Sequence, residues 1–118
     1  MSPELVAVVD DDPRIRELLA AELEDLGAEV LRCGDASELL QHPRLAGVQL
    51  VLLDWMMPGL DGAGTLRQLR AQGYPGRVVV VTALCDPAVQ TQAREAGATA
   101  TLLKTEALAL LPKLLNPG

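Results

Sequence analysis

Leu5-Val6-Ala7-Val8-Val9, followed at once by Asp10-Asp11-Asp12-Pro13, is the stretch on which the fold turns. The first five residues are apolar without a break, as in a strand buried on both faces. Three acids come next, where packing gives no reason for a polar side chain. Asp12-Pro13 then opens a helix. The Asp12 carboxylate can accept from free amides of the first turn, and proline suits the first helical position because its missing N–H is not needed there. Ile15, Leu18, Leu19, Glu22, Leu23 and Leu26 follow at helical spacing, an apolar stripe broken only at Glu22, and Gly27 ends it.

The same unit recurs along the chain. Residues 28–31 read as a weaker, half-polar strand suited to a sheet edge, and Asp35 with Glu38 three residues on reads as a capping box for a short helix. Residues 50–53 are a second fully apolar strand. Pro58, Gly59, Asp61 and Gly62 then mark a loop, with Gly62 expected to supply backbone freedom. A helix carrying Leu66, Leu69 and Arg70 runs to Gln72, Gly73-Tyr74-Pro75-Gly76 is a turn, and residues 78–81 are a third buried strand. Asp86-Pro87 repeats the cap-and-proline start, and Gly97 closes that helix. Residues 99–103 make a fifth strand, and Thr105 is expected to cap a last, Leu-rich helix. Five strand–helix units in strict alternation imply an α/β domain. Its parallel strands are joined by right-handed crossovers, with helices on both faces.

The 118 residues suit one domain, expected over 1–118 with no internal boundary and no output domain in the chain. There is no Phe, one Trp and one Tyr, so Leu, Val and Ala must fill the core. Sixteen acidic residues against ten basic give a net charge of −6, which argues against direct nucleic-acid binding by this chain. Cys33 and Cys85 lie in separate segments without metal-ligand spacing and read as idle thiols of a reducing compartment. Met1-Ser2-Pro3-Glu4 lacks the basic and apolar pattern of a secretion signal, and no apolar run reaches membrane-spanning length. A cytoplasmic location is expected.

Ligands of open parallel sheets bind beyond the carboxyl ends of the strands. The first strand delivers Asp10, Asp11 and Asp12 there, the third Asp54, the fourth Thr82 and the fifth Lys104. Asp12 is set aside as the helix cap. Asp10, Asp11 and Asp54 against Lys104 then leave a surplus of two negative charges, and crowded carboxylates raise one another's pKa unless a cation neutralises them. Oxygen ligands with that deficit suit a hard divalent ion such as magnesium, with manganese as a substitute. His42 is the sole histidine, so a zinc site is not supported. A lysine, a hydroxyl and a divalent ion together suit phosphoryl oxygens, and a carboxylate such as Asp54 can attack phosphorus and hold an acyl phosphate.

Val8-Val9-Asp10-Asp11-Asp12, the run from Leu53-Asp54-Trp55-Met56-Met57-Pro58-Gly59 to Asp61-Gly62, then Val81-Thr82-Ala83 and Ala96-Gly97-Ala98 leading to Lys104 resemble receiver domains of two-component response regulators. The resemblance covers essentially the whole chain. It implies a three-layer, flavodoxin-like fold, with a five-stranded sheet of order 2-1-3-4-5 between five helices. It implies Asp54 as phosphoacceptor, Asp11 as a direct magnesium ligand, Asp10 as one acting through water, and the Met56 backbone carbonyl as a further ligand. Lys104 would pair with phosphoryl oxygens, and Thr82 would swing toward them. The implied partners are a histidine kinase or phosphotransfer protein, and an output domain or protein target. Dimerisation through the last two helices and the fifth strand is admitted, and membrane contact is not implied.

The chain departs from that family at two switch positions. Thr105 stands where a proline with a cis bond usually follows the lysine, and a non-proline cis bond costs about 2.5–4 kcal/mol, so a trans Lys104–Thr105 bond is expected. Thr101 stands where a Tyr or Phe ring usually turns inward, too small a side chain for that lever. Met56 and Leu84 occupy positions where many receivers carry polar groups near the attacking water, which predicts slow self-dephosphorylation. Trp55 is expected to be partly exposed beside the site. The competing readings are a phosphorylation-independent interaction module, left open by Thr101 and Thr105, and an aspartate-nucleophile phosphatase. The latter would need an acidic pair after the lysine, where only Glu106 stands. A flavin site is disfavoured because its phosphate loop should be rich in Ser, Thr and Gly.

Overall fold

The computed structural model describes residues 3–57, 59–84 and 86–115. Strands β1 (Leu5–Val9), β2 (Glu29–Cys33), β3 (Leu50–Asp54), β4 (Arg77–Thr82) and β5 (Ala100–Leu103) alternate with helices α1 (Pro13–Asp25), α2 (Ala36–Leu40), α3 (Gly62–Ala71), α4 (Pro87–Ala96) and α5 (Lys104–Leu114). The strands form one parallel sheet of order β2-β1-β3-β4-β5. This is the flavodoxin-like arrangement.

Alternation along each strand sorts the aliphatic side chains into two cores. Ala7, Val9, Val51, Leu53, Val78 and Val80 face α2, α3 and α4, packing on Leu39, Leu66, Leu69 and Ala93. Val6, Val8, Leu50, Leu52, Val79 and Val81 face α1 and α5, packing on Leu19, Leu23, Ala107 and Leu111. Both faces of the three inner strands are therefore apolar, which is why those segments lack alternation in the sequence.

The helix starts follow their capping residues. Asp12 accepts from the Arg14 amide at 2.9 Å and Asp86 from the Val89 amide at 2.9 Å, with Pro13 and Pro87 opening the helices. Gly97 ends α4 in the left-handed conformation, φ 111°. Asp35 accepts from the Glu38 amide at 2.8 Å, but the Glu38 carboxylate takes the Gly34 amide at 3.0 Å, one residue further back than a capping box requires.

Five local expectations are corrected. The second strand starts at Glu29 and runs to Cys33, because pairing with all of β1 extends it. Lys104 already lies in α5, so Thr105 sits in the first turn, and the cap position, Leu103, has no side-chain cap. Gly62 is not left-handed: a Cβ there would lie 2.7 Å from the Trp55 Cα, so glycine is required for close approach. Trp55 is buried, 7% exposed, beneath that contact. Leu18 and Leu26 of the α1 stripe are exposed, since Leu19, Ala20 and Leu23 make its inner face. The Lys104–Thr105 bond is trans, as expected. Pro58, Cys85 and the 116–118 segment lie outside the described residues.

Candidate functional site

Strand register brings the polar strand ends together. Val9 pairs with Leu53, so Asp10 and Asp54 end adjacent strands. Asp54 pairs with Val81, and Thr82 with Leu103, so Thr82 and Lys104 follow in the next two strands. Carboxylate oxygens of Asp10, Asp11 and Asp54 all lie within 4.8 Å of one another. Asp10 and Asp54 are buried at 2% and 1% exposure, whereas Asp11 is open to solvent.

Lys104 reaches into this cluster from the first turn of α5. Its Nζ stands 3.3 Å from Asp54 Oδ1 and 3.5 Å from Asp10 Oδ2. Asp54 Oδ1 also accepts from the Met56 amide at 3.3 Å. Asp54 Oδ2, by contrast, is buried without a hydrogen-bond partner among the described residues. Such an oxygen is costly unless a ligand completes it. Burial, and then the Asp10 charge, push the Asp54 carboxyl up to about 6, with Lys104 opposing them. Burial works against the Lys104 charge, but Asp54 and Asp10 outweigh it and raise its pKa.

Asp10 is held on every side. Its amide donates to the Cys33 carbonyl at 3.1 Å, and its Oδ1 accepts from the Asp12 amide at 2.9 Å. Its carbonyl accepts from Arg16 Nη1 at 2.8 Å. Arg16 was not singled out by the motif. Its one sequence signal is a basic residue one turn after the Asp12 cap, on the helix that leaves the acidic strand end.

The remaining candidates surround the cluster. The Thr82 hydroxyl is buried, donates to the Leu84 carbonyl at 3.2 Å and accepts from the Leu84 amide at 3.3 Å, so it is engaged within its own loop. Met56 and Leu84 are 72% and 73% exposed and extend away from the core. Thr101 pairs with Val80 and is half-buried, lining with Gln90 and Arg94 a shallow cavity of about 300 Å³ between α4 and β5. Asp61 caps α3 by accepting from the Gly64 amide at 2.8 Å, which gives it a local structural task.

The donor set fits a hard divalent cation: among the described residues three carboxylates converge, one of their oxygens lacks a partner, and a single ammonium leaves the negative charge uncompensated. Asp10, Asp11 and Asp54 are the side chains able to hold it.

Comparison with known proteins agrees with this geometry. Residues 6–116 match the family model described as the response regulator receiver domain. The chain is 38% identical over 100 residues to the DNA-binding response regulator MtrA of Mycolicibacterium smegmatis, covering 84% of this chain and 43% of the relative. It is 34% identical over 104 residues to a probable transcriptional regulator, ycf27, of Porphyridium aerugineum, covering 88% of this chain and 43% of that one. The chain thus spans less than half the length of these relatives. Among solved structures, the signal receiver domain of the putative response regulator NarL of Mycobacterium tuberculosis superposes with a TM-score of 0.84 at 31% identity, covering 97% and 94% of the two chains. The BeF3-activated N-terminal receiver domain of RstA of Klebsiella pneumoniae superposes with a TM-score of 0.84 at 32% identity, covering 94% and 95%.

Proposed function

The chain belongs to the response regulator receiver family, and from that premise we propose that it accepts a phosphoryl group on Asp54 in a magnesium-dependent reaction and thereby switches an output. The observation that carries this reading is Asp54 Oδ2, a buried carboxylate oxygen without a partner among the described residues, beside Lys104 and two further acids.

Asp54 attacks the phosphorus of a donor, the phosphohistidine of a kinase or phosphotransfer protein. A bond forms between an Asp54 oxygen and phosphorus as the phosphorus–nitrogen bond breaks, and the electron pair leaves on the imidazole nitrogen. The product is an acyl phosphate. Attack needs the ionised carboxylate, which an Asp54 titrating at about 6 supplies at neutral pH. Asp10, Asp11, Asp54 and the Met56 carbonyl would hold the magnesium or manganese ion, with Asp10 acting through water. When bound, the ion supplies positive charge against the phosphoryl oxygens. Lys104, already drawn to Asp54, pairs with one of those oxygens.

Thr82 links this chemistry to a conformational change. Its hydroxyl must release Leu84 to turn toward a phosphoryl oxygen, so modification of Asp54 rearranges the loop after β4. Thr101 receives no large ring from this sequence, so the readout passes mainly through that loop. The names of the curated relatives, a DNA-binding response regulator and a probable transcriptional regulator, support transcription control as the output of the whole protein. The kinase, the output target and a cytoplasmic setting belong to the same proposal.

Beryllium trifluoride, a tetrahedral mimic of a phosphoryl group, tests the site without turnover. Saturable binding that needs magnesium and vanishes in Asp54→Asn is expected by calorimetry. Absence of binding under both conditions contradicts the proposal and favours a phosphorylation-independent interaction module.

A further inference from the structure

We propose that Arg16 is a positioning residue for the acid cluster, fixing the Asp10 carbonyl and with it the directions in which Asp10 and Asp11 present their carboxylates to the cation. The inference rests on the magnesium-dependent function proposed above. It concerns a side chain that touches none of the reacting groups.

The β1–β2 ladder ends at the pair Val9 and Cys33, with one further bond from the Asp10 amide. Beyond that point the Asp10 carbonyl has left the sheet, at the residue where the chain must place one buried and one exposed acid side by side. Arg16 folds back along its own helix and donates to that carbonyl at 2.8 Å. The Asp10 peptide is then held through its amide, its carbonyl and its side chain, which also accepts the Asp12 amide. A strand end tied at three points cannot swing when the repulsion among three acids changes.

Gly34 is the second observation. A Cβ at this position would stand 3.3 Å from Arg16 Nη1 and 3.6 Å from the Glu38 carboxylate. Gly34 does not have a positive φ, so its lack of a side chain is not needed for backbone conformation. It leaves the slot that the guanidinium occupies, and its own amide is tied to Glu38 at 3.0 Å, which holds the slot open. Outer partners that orient metal ligands typically contribute about 10- to 100-fold in metal affinity.

The test is calorimetric titration with magnesium chloride alone, with melting measured in chelator on the same samples. Arg16→Gln is expected to weaken magnesium binding about 10-fold while the metal-free melting temperature stays close to that of the unaltered chain, and Arg16→Lys is expected to restore part of the affinity. Gly34→Val, which leaves Arg16 in place but fills its slot, is expected to weaken magnesium in the same direction and stands in if Arg16→Gln does not fold. Unchanged affinity in the folded variants, with the unaltered chain binding and Asp11→Asn not, overturns the positioning role alone. No binding by the unaltered chain overturns it together with the function on which it rests.

Discussion

The two ends of this sheet are built to opposite specifications. At the amino ends of the strands, the side chains of Arg70, Tyr74 and Arg77 are all engaged. Arg70 donates to the Gly97, Tyr74 and Gly76 carbonyls at 2.8–3.1 Å, pinning the loops before β4 and β5. Arg77 donates to the Leu114 carbonyl at 2.6 Å and pairs with Glu4 at 2.9 Å, and the Tyr74 hydroxyl donates to the Val48 carbonyl at 2.7 Å. At the carboxyl ends, three acids converge, Lys104 pairs with two of them, and among the described residues a buried Asp54 oxygen has no partner. The difference separates two uses of the same kind of material. Polar groups at one end close the structure, and at the other they remain open to a ligand, at a cost the closed end helps to offset.

Substitutions at the carboxyl ends should change the chemistry, and those at the amino ends should change stability alone. The largest effect is expected at Lys104. Lys104→Ala should slow phosphorylation by acetyl phosphate about 100-fold, as loss of one preorganised donor does in other sites, and should lower the metal-free melting temperature, because two buried acids lose their cation. A rate within experimental scatter of the parent would remove Lys104 from the phosphoryl site. Arg70→Ala should affect stability alone, costing about 2–4 kcal/mol in urea unfolding because several partly buried carbonyls lose their donor. Its phosphorylation rate should match the parent's below the melt, and a slowed rate would show that the two ends are coupled.

Asp54 gives a smaller effect with a defined sign. Its pKa is higher folded, about 6, than the ordinary 3.8. Its contribution to stability is therefore fully present below about pH 4 and lost as pH rises through 6. In the absence of metal, Asp54→Asn should gain on the parent across that window, by on the order of 3 kcal/mol at pH 7. A pH-independent difference would mean that the carboxylate is not strained by burial. The smallest effect is expected at the rim, where Met56 and Leu84 stand in solvent. Met56→Asn or Leu84→Glu should shorten the phosphoryl half-life several-fold by offering polar atoms to the attacking water, and an unchanged half-life would discard that role.

Much of this was legible in the residues. The three inner strands could be found because they are apolar on both faces, and the acids stood out because they follow such runs directly. Asp12 and Asp86 announced their helices, since a cap and a following proline are local chemistry. The edges were less clear: β2 extends two residues beyond its apolar part because a neighbouring strand pairs with it, and β5 is only partly covered. Gly62 and Trp55 depend on how closely a loop approaches a helix start, a distance that spacing along the chain does not encode. Arg16 was hidden for a related reason. Its partner is a backbone carbonyl, which leaves no mark in a motif of side chains.

The measurement that bears most directly on the central claim is intact mass after incubation with acetyl phosphate and magnesium, followed by location of the modified residue. One phosphoryl group is expected, on Asp54, lost when chelator replaces magnesium and absent in Asp54→Asn. An unmodified mass in the folded parent, or a phosphoryl group that persists in Asp54→Asn, would contradict the account.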